Sequence, residues 1–268
     1  MIRAVKMLVG QGSVGLFLDP GMGKTAICLA AFTTLKELGY VDKMLVIAPI
    51  RPMYGTWPAE IAKWADFNHL TYAILHGKNK KAYKEDVDIY ICNPDTAALH
   101  WLFGRAKYEK TNRKTKEVEK IPATDGVIKS MPAIDVLCID ESTKFKNSTT
   151  GRFKSMCRHY GVHNFNRRWC LTGTPTPNGL EDLFGQVYIL DQGAALGRFV
   201  SHYRDDYFVP DPRGYGWSPM VNSFANVTEK ISPLVLQLSA KEHLQLPELM
   251  KITIPIELPP VAAVQYKE

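Results

Sequence analysis

The stretch LFLDPGMGKTAICLAAF, residues 16–32, joins an apolar run to a glycine-rich turn and the beginning of a helical pattern. The apolar run ends at Asp19, and Gly21 and Gly23 lie directly before Lys24. Glycine permits the left-handed backbone conformations that bring the N–H groups of a loop together. A nest of N–H groups at a helix N-terminus attracts phosphate. This stretch therefore predicts a strand–loop–helix unit that binds phosphate.

The residue types in this loop fit a nucleoside triphosphate. Lys24 would supply a positive charge to the β- and γ-phosphates, and the Thr25 hydroxyl would ligate Mg²⁺. The general pattern GxxxxGK[ST] is not strictly met, because Leu18 stands where its first glycine would be. An ordinary strand–turn–helix is the alternative. The predicted cofactors are ATP and Mg²⁺, and the predicted nucleotide-binding residues are Asp19, Pro20, Gly21, Met22, Gly23, Lys24, Thr25 and Ala26.

The composition is that of a globular protein with a substantial core. The chain has 268 residues, of which 46% are hydrophobic and 22% charged, enough for one large domain or one and a half ordinary ones. No apolar run reaches the length of a membrane span, and the N-terminus lacks a secretory pattern. The five cysteines are scattered without a CxxC pair. We therefore expect a cytoplasmic protein that has buried thiols and no zinc site.

The net charge of +6 is concentrated in two segments. Residues 105–120 carry seven Lys or Arg and three Glu, and residues 78–86 carry four Lys against two carboxylates. Localised positive charge favours a polyanionic partner. A solvated loop and a solvated helix face remain the alternative for these two segments.

Apolar runs alternate with helical patterns along the chain. The helix after the glycine-rich loop begins at Thr25 and ends before Gly39, a second carries Trp57 and Trp64, and a third follows Asn93-Pro94. Near-continuous apolar runs suit strands covered on both faces. This order predicts an α/β fold with a doubly wound, mostly parallel sheet. The predicted strands are 14–19, 43–49, 70–75, 87–92, 133–140 and 167–172.

Two segments interrupt this alternation. Residues 104–132 are polar and basic, and they are predicted as a long exposed loop or hairpin insertion. Residues 195–245 hold clusters of Tyr, Phe, Pro and Gly, and they are predicted as a small helical appendage.

A buried strand that ends in two carboxylates, VLCIDE (136–141), is a second candidate element. Buried charge is costly unless it is paired or bound to a metal. Because the carboxyl ends of parallel strands meet at one sheet edge, we expect Asp140 to lie near Lys24 and to hold Mg²⁺. Glu141 can then deprotonate the attacking water. The alternative is a strand that runs into solvent.

The segment LTGTP (171–175) closes another apolar strand. Two hydroxyls around a flexible glycine, Thr172, Gly173 and Thr174, form a candidate sensor of the γ-phosphate. A simple Thr/Gly turn is the alternative.

Three segments, in this order, resemble motifs I, II and III of superfamily-two helicases: DPGMGKT (19–25), DEST (140–143) and LTGTP (171–175). More narrowly, the chain is similar to the Swi/Snf-type ATPases, in particular to their phage-borne members. Ala48-Pro49 followed by Trp57 is similar to the motif Ia region, and Lys146-Asn147 to the pair that follows motif II. The resemblance spans nearly the whole chain.

The resemblance implies a RecA-like P-loop lobe over residues 1–194, with residues 246–268 as a connector toward a second RecA-like lobe. Motifs IV to VI and their arginine finger belong to that second lobe, which this sequence lacks. The adenine-reading glutamine of the family falls upstream of residue 1, and Gln11 is too near the loop to replace it. We therefore expect a monomer that alone hydrolyses ATP barely above background.

The resemblance also implies a groove for one nucleic-acid strand, with Arg51, Asn93 and Thr174 near its phosphates. The lysines of residues 78–84 and the basic insertion would add electrostatic affinity. The partner is expected to be double- or single-stranded DNA, with RNA not excluded. The predicted insertion contacts are Lys110, Arg113, Lys114 and Lys116.

The function implied is that of a DNA translocase or helicase, a nucleic-acid-dependent ATPase that uses Lys24 and Glu141 as catalytic residues. One alternative is an ATP-responsive DNA or protein clamp that does not hydrolyse ATP. Another is the motor subunit of a restriction system, which shares these motifs. The pair Asp140-Glu141 argues against the clamp, since a protein that does not turn over needs no base.

Overall fold

The computed structural model describes residues 1–111, 118–211, 214, 216–239 and 259. Thirteen strands lie within these residues. In chain order they are β1 (Ser13–Leu18), β2 (Met44–Ile47), β3 (Tyr72–Ile74), β4 (Ile89–Cys92), β5 (Gly104–Arg105), β6 (Tyr108–Thr111), β7 (Val118–Ile121), β8 (Thr124–Asp125), β9 (Val136–Asp140), β10 (Arg167–Thr172), β11 (Phe208–Pro210), β12 (Trp217–Pro219) and β13 (Val235–Leu238).

Nine α-helices lie within the same residues. They are α1 (Ile2–Gly10), α2 (Lys24–Glu37), α3 (Ile50–Tyr54), α4 (Thr56–Lys63), α5 (Thr96–Phe103), α6 (Gly151–Lys154), α7 (Leu183–Asp191), α8 (Val200–Tyr207) and α9 (Ser223–Ile231). None of the described helices is both long and apolar enough to cross a membrane.

A seven-stranded sheet in the order β13-β1-β10-β9-β2-β4-β3 forms the centre of the protein. All of its strand pairs are parallel. The six strands predicted from the apolar runs all belong to it, and the α/β, mostly parallel fold is confirmed. Because the strands are parallel, β1, β9 and β10 end at the same edge.

Side chains of the sheet alternate between two cores, one on each face. Leu16, Cys138 and Trp169 pack with α1, α2 and α4 on one face. Leu137, Ile139 and Cys170 pack with α5 and α6 on the other face. Helices therefore cover the sheet on both sides, which explains why its strands read as near-continuous apolar runs.

The segment predicted as an insertion divides into two parts. β5 pairs with β8 and β6 pairs with β7, both antiparallel. Residues 126–132 differ from the exposed loop that the sequence predicts, because Ile128 and Met131 are buried against the core beside α5. The few apolar side chains of this short segment did not reveal its burial within a polar stretch.

The segment 195–245 holds α8, α9 and the antiparallel pair β11–β12, which surround a third apolar cluster. It also contains β13, which pairs in parallel with β1 and extends the main sheet by one strand. Sequence reasoning missed this four-residue strand, and the boundaries of the predicted appendage remain a prediction. Apart from residue 259, the predicted connector 246–268 lies outside the described residues.

Candidate functional site

The glycine-rich loop connects the end of β1 to the first residue of α2. Gly21 has φ +84° and Gly23 has φ +71°, a region that side-chain-bearing residues rarely adopt. A Cβ built on Gly21 meets no atom within 4 Å. The N–H groups in the first turn of α2 have no intrahelical acceptor. Open space at Gly21 thus lies beside a helix N-terminus, an arrangement that suits an anion.

Lys24, the first residue of α2, folds back over the loop. Its Nζ donates hydrogen bonds to the carbonyl oxygens of Leu18 (2.7 Å) and Asp19 (3.2 Å). Burial lowers the pKa of Lys24, while the negative charges of Glu141, Asp140 and Asp19 oppose that shift. The structure thus brings together the lysine and the two carboxylates that the sequence placed at one sheet edge.

Asp140, the last residue of β9, is a buried carboxylate, only 8% exposed. Its Oδ2 accepts a hydrogen bond from the indole Nε1 of Trp57 at 3.1 Å. Burial raises the pKa of Asp140, and the bond from Trp57, the backbone N–H of Glu141 and the charge of Lys24 partly offset that rise. A buried carboxylate with so few donors is a suitable ligand for a cation.

Trp57 belongs to the region that resembles motif Ia, but the sequence does not predict its contact with Asp140. The apolar pattern predicts it only as a buried residue of a helix, and it is fully buried on α4. A buried indole N–H usually finds an acceptor, and here the acceptor lies 83 residues away. The position of Trp57 shortly after β2, whose end faces the same edge, was the available signal.

Glu141 follows β9 in an unusual backbone conformation. Its φ of 55° and ψ of 57° lie in the left-handed region, at a cost of about 1–3 kcal/mol for a residue other than glycine. Its side chain lines a cleft of about 620 Å³. Burial raises the pKa of Glu141, as does the charge of Asp140, while Lys24 and Lys144 lower it.

The segment after β10 contacts the glycine-rich loop. Thr172 is buried, and its Oγ1 accepts a hydrogen bond from the backbone N–H of Thr174 at 3.1 Å. A Cβ built on Gly173 would lie 3.0 Å from Cδ of Pro20. The two segments therefore approach closely at Gly173, and Thr174 itself is exposed. The candidate sensor therefore lies directly against the candidate phosphate loop.

The cleft beside Glu141 carries three positive side chains. Arg51 on α3 is the one that the sequence predicts, and Lys144 and Arg152 line the same cleft. Sequence reasoning missed these two, because neither stands out from the other charged residues near it. Asp95 adds a negative charge to the lining.

Asn93, which the resemblance places near the phosphates of one strand, is a buried residue. It is 2% exposed, and its Nδ2 donates to Oδ2 of Asp95 at 2.6 Å. Its Oδ1 has no hydrogen-bond partner among the described residues. The buried end of β4 encloses this side chain, so Asp95 reaches the cleft instead.

The remaining predicted phosphate contacts belong to two basic segments, the insertion and residues 78–84. Arg113, Lys114 and Lys116 lie outside the described residues, as does the side chain of Lys110. For residues 78–84, two lysines lie over aromatic rings: Lys80 Nζ is 5.1 Å from the centroid of Trp101, and Lys84 Nζ is 5.8 Å from that of Tyr83.

Comparison with known proteins gives a consistent family relationship. A family model described as the SNF2-related domain matches residues 3–262. The protein p41 of Acyrthosiphon pisum secondary endosymbiont phage 1 is 28% identical over 258 residues, which are 92% of this chain and 51% of that protein. The CHD3-type chromatin-remodeling factor PICKLE of Arabidopsis thaliana is 26% identical, over 73% of this chain and 14% of its own length.

A solved structure supports the same family relationship. The Sulfolobus solfataricus SWI2/SNF2 ATPase core in complex with dsDNA superposes with a TM-score of 0.64 at 25% identity. The match covers 99% of this chain and 49% of that one. The chain therefore spans about half the length of the phage relative and of the ATPase core, and a smaller share of the plant protein.

The buried carboxylate of Asp140 yields a testable prediction about stability. Because the pKa of Asp140 is raised, the native state binds its proton more tightly than the unfolded state does. The free energy of unfolding consequently falls as the pH rises from the ordinary pKa of an aspartate to the raised pKa of Asp140. Above the raised pKa, the carboxylate is ionised in both states, and this loss of stability remains as a constant cost. Asp140→Asn removes this cost and should be more stable than wild type at pH 7 in urea unfolding.

The gain from Asp140→Asn should shrink as the pH is lowered toward the ordinary pKa of an aspartate. Asp66→Asn, at an exposed position on the surface, is the matched control and should leave stability unchanged. An Asp140→Asn protein that is no more stable than wild type at pH 7 would contradict the prediction.

Proposed function

This chain belongs to the SNF2-related domain family, and we propose that it is the ATP-binding lobe of a motor that moves along DNA. The observation that carries the proposal is the convergence of Lys24, Asp140 and Glu141 beside the open glycine-rich loop. An anion cradle, a lysine, a buried carboxylate and a second carboxylate are the parts that phosphoryl transfer to water requires.

The nucleotide is proposed to bind with its phosphates in the loop of residues 19–26. The N–H groups of the loop and the charge of Lys24 would hold the β- and γ-phosphates. The Thr25 hydroxyl and the Asp140 carboxylate are hard oxygen donors, the kind of ligand that Mg²⁺ prefers. When bound there, the ion would neutralise charge on the phosphates.

Glu141 is proposed as the general base. Its raised pKa makes it a better proton acceptor than an ordinary exposed glutamate, since base strength increases with pKa. Its side chain lines the cleft, whereas Asp140 is buried. Asp140 would hold the metal, and Glu141 would take a proton from the attacking water.

The cleft with Arg51, Lys144 and Arg152 is proposed as the path of one nucleic-acid strand. Positive side chains on a cleft wall bind backbone phosphates, which position a strand without reading its sequence. Exposed Thr174 would contribute at the edge of this path. The basic insertion, with Lys110, Arg113, Lys114 and Lys116, is proposed to add further phosphate contacts. DNA is favoured because the similar archaeal ATPase core was solved in complex with dsDNA.

Movement along DNA is proposed to require a second RecA-like lobe. Such a lobe would supply an arginine for the charge that develops on the γ-phosphate, worth roughly 10³–10⁵ in rate in related chemistry. It would also supply the other wall of the strand path. We propose that residues 1–268 alone form a monomer that binds Mg-ATP and hydrolyses it barely above background.

Replacement of Glu141 tests the proposed chemistry. In the two-lobed protein, Glu141→Gln should retain ATP binding and lose DNA-stimulated phosphate release by about 10²–10⁴-fold, the usual contribution of a general base. Glu60→Gln is the control and should keep the wild-type rate, because among the described residues this carboxylate bonds only to the nearby Trp64 indole. Near-normal turnover by Glu141→Gln would assign the base to another residue, and no turnover by wild type would favour the ATP-responsive clamp.

The salt dependence of DNA binding tests the proposed strand path. Changing Arg51, Lys144 and Arg152 together to Gln should weaken binding of duplex DNA. It should also reduce the slope of log K against log salt concentration by about 0.9 for each phosphate that the variant no longer binds. Lys6→Gln, a charge removed from the exposed face of α1, should leave the slope unchanged.

An unchanged slope in the triple variant would exclude the cleft as the phosphate-binding surface. Equal binding of duplex RNA and duplex DNA by wild type would contradict the assignment of DNA as the partner.

A further inference from the structure

A buried glutamine on α7 joins two segments of the candidate site. Gln186 is fully buried. Its Oε1 accepts a hydrogen bond from the Ser142 hydroxyl at 2.7 Å. Its Nε2 donates to the carbonyl oxygens of Pro175 (2.7 Å) and Asp182 (2.9 Å). One side chain therefore ties the residue after Glu141 to the residue after Thr174.

The hydrogen-bonding pattern determines the orientation of this amide. Both N–H groups of Nε2 are donated, and both of their partners are carbonyl oxygens. Exchanging the oxygen and the nitrogen would set the amide oxygen against two acceptors. Gln186 consequently has one orientation compatible with its surroundings, and that orientation requires Ser142 as the donor.

Asp182, which lies one helical turn before Gln186, also connects the same two segments. Oδ2 of Asp182 accepts hydrogen bonds from Lys146 Nζ at 3.0 Å and from the backbone N–H of Asn178 at 2.8 Å. The packing of α7 against this region is also close, since a Cβ built on Gly185 would lie 2.1 Å from the carbonyl oxygen of Phe145. α7 is thus held against residues 141–146 through backbone contact, and against both segments through the side chains of Asp182 and Gln186.

Separation of the two segments would be costly. Breaking the bonds of Gln186 would leave its buried amide and the buried Ser142 hydroxyl without partners, which is unfavourable because neither group could regain a hydrogen bond from water. A displacement of residues 172–178 is therefore transmitted to residues 141–146 instead of being absorbed between them. Both segments reach the nucleotide site: Glu141 directly, and Gly173 through its contact with Pro20.

We propose that Gln186 is a positioning residue that makes the Glu141 segment and the 172–178 segment move as one unit when nucleotide binds. The proposal rests on the proposed function, because it takes the loop of residues 19–26 as the nucleotide site. The sequence around Gln186 carries no signal of this role, since a glutamine within an apolar helix is also consistent with a simple buried hydrogen bond.

Hydrogen exchange measured by mass spectrometry tests the proposal with residues 1–268. The probe is the imido analogue of ATP with Mg²⁺, compared with buffer alone. In wild type, the analogue should slow exchange in peptides that cover 19–26, 141–146 and 172–178. In Gln186→Leu, the effect on 19–26 should persist, and the effect on 172–178 should fall to the part that is transmitted through the contact of Gly173 with Pro20. Ser142→Ala, which removes a single bond, should lose part of that effect.

Ser223→Ala is the matched control. Ser223 is 2% exposed, and its hydroxyl donates to the carbonyl oxygen of Tyr207 at 2.7 Å, so the variant loses a buried bond of the same kind far along the chain. It should keep the wild-type response in all three peptides. A purely structural role for Gln186 would change exchange with and without the analogue alike.

The outcomes separate this inference from the function on which it rests. A wild-type protein with no response in 19–26 would overturn the nucleotide site and this inference with it. A wild-type response in 19–26 without one in 172–178 would overturn the inference alone. A response at 172–178 of wild-type size in folded Gln186→Leu would also overturn the inference. If Gln186→Leu fails to fold, a response of wild-type size at 172–178 in Ser142→Ala would overturn the inference.

Discussion

The burial of the Asp140 carboxylate at the end of β9 is the constraint on which the site depends. A charged group that is 8% exposed needs donors or a cation, and the fold supplies Trp57 from α4 and Lys24 from the glycine-rich loop. Both partners come from elements that end or begin at the same sheet edge. The raised pKa of Asp140 indicates that these partners do not fully offset its burial, which leaves the carboxylate well suited to an additional cation.

The parallel sheet converts distant stretches of sequence into one site. Asp19, Asp140 and Thr172 lie at or just after the ends of β1, β9 and β10, which are neighbours in the order β1-β10-β9. The site therefore requires no long loop to assemble it, and its parts are joined by packing. Gly173 against Pro20 and Gly185 against Phe145 are two such contacts, and in each the missing side chain permits the close approach.

The sequence predicts the parts of this site that are local. Six strands of the main sheet and the helix after the glycine-rich loop follow from apolar runs and from glycine placement. The distant partners of two buried residues were not predictable. Trp57 lies in the region that resembles motif Ia, but nothing in the sequence links it to Asp140, and Gln186 carries a pattern that any buried helix residue could show. Asn93 is placed near a nucleic-acid strand only by the resemblance, and its neighbours in space enclose it, which the sequence did not predict.

Direct measurement of nucleotide binding tests the central claim, that the loop of residues 19–26 with Lys24 is a triphosphate site. Titration calorimetry of Mg-ATP would compare wild type with Lys24→Ala, with Lys6→Ala on α1 as the control. The account predicts that wild type and Lys6→Ala bind with the same affinity and that a folded Lys24→Ala protein binds without detectable heat. Equal affinities of wild type and Lys24→Ala would contradict it.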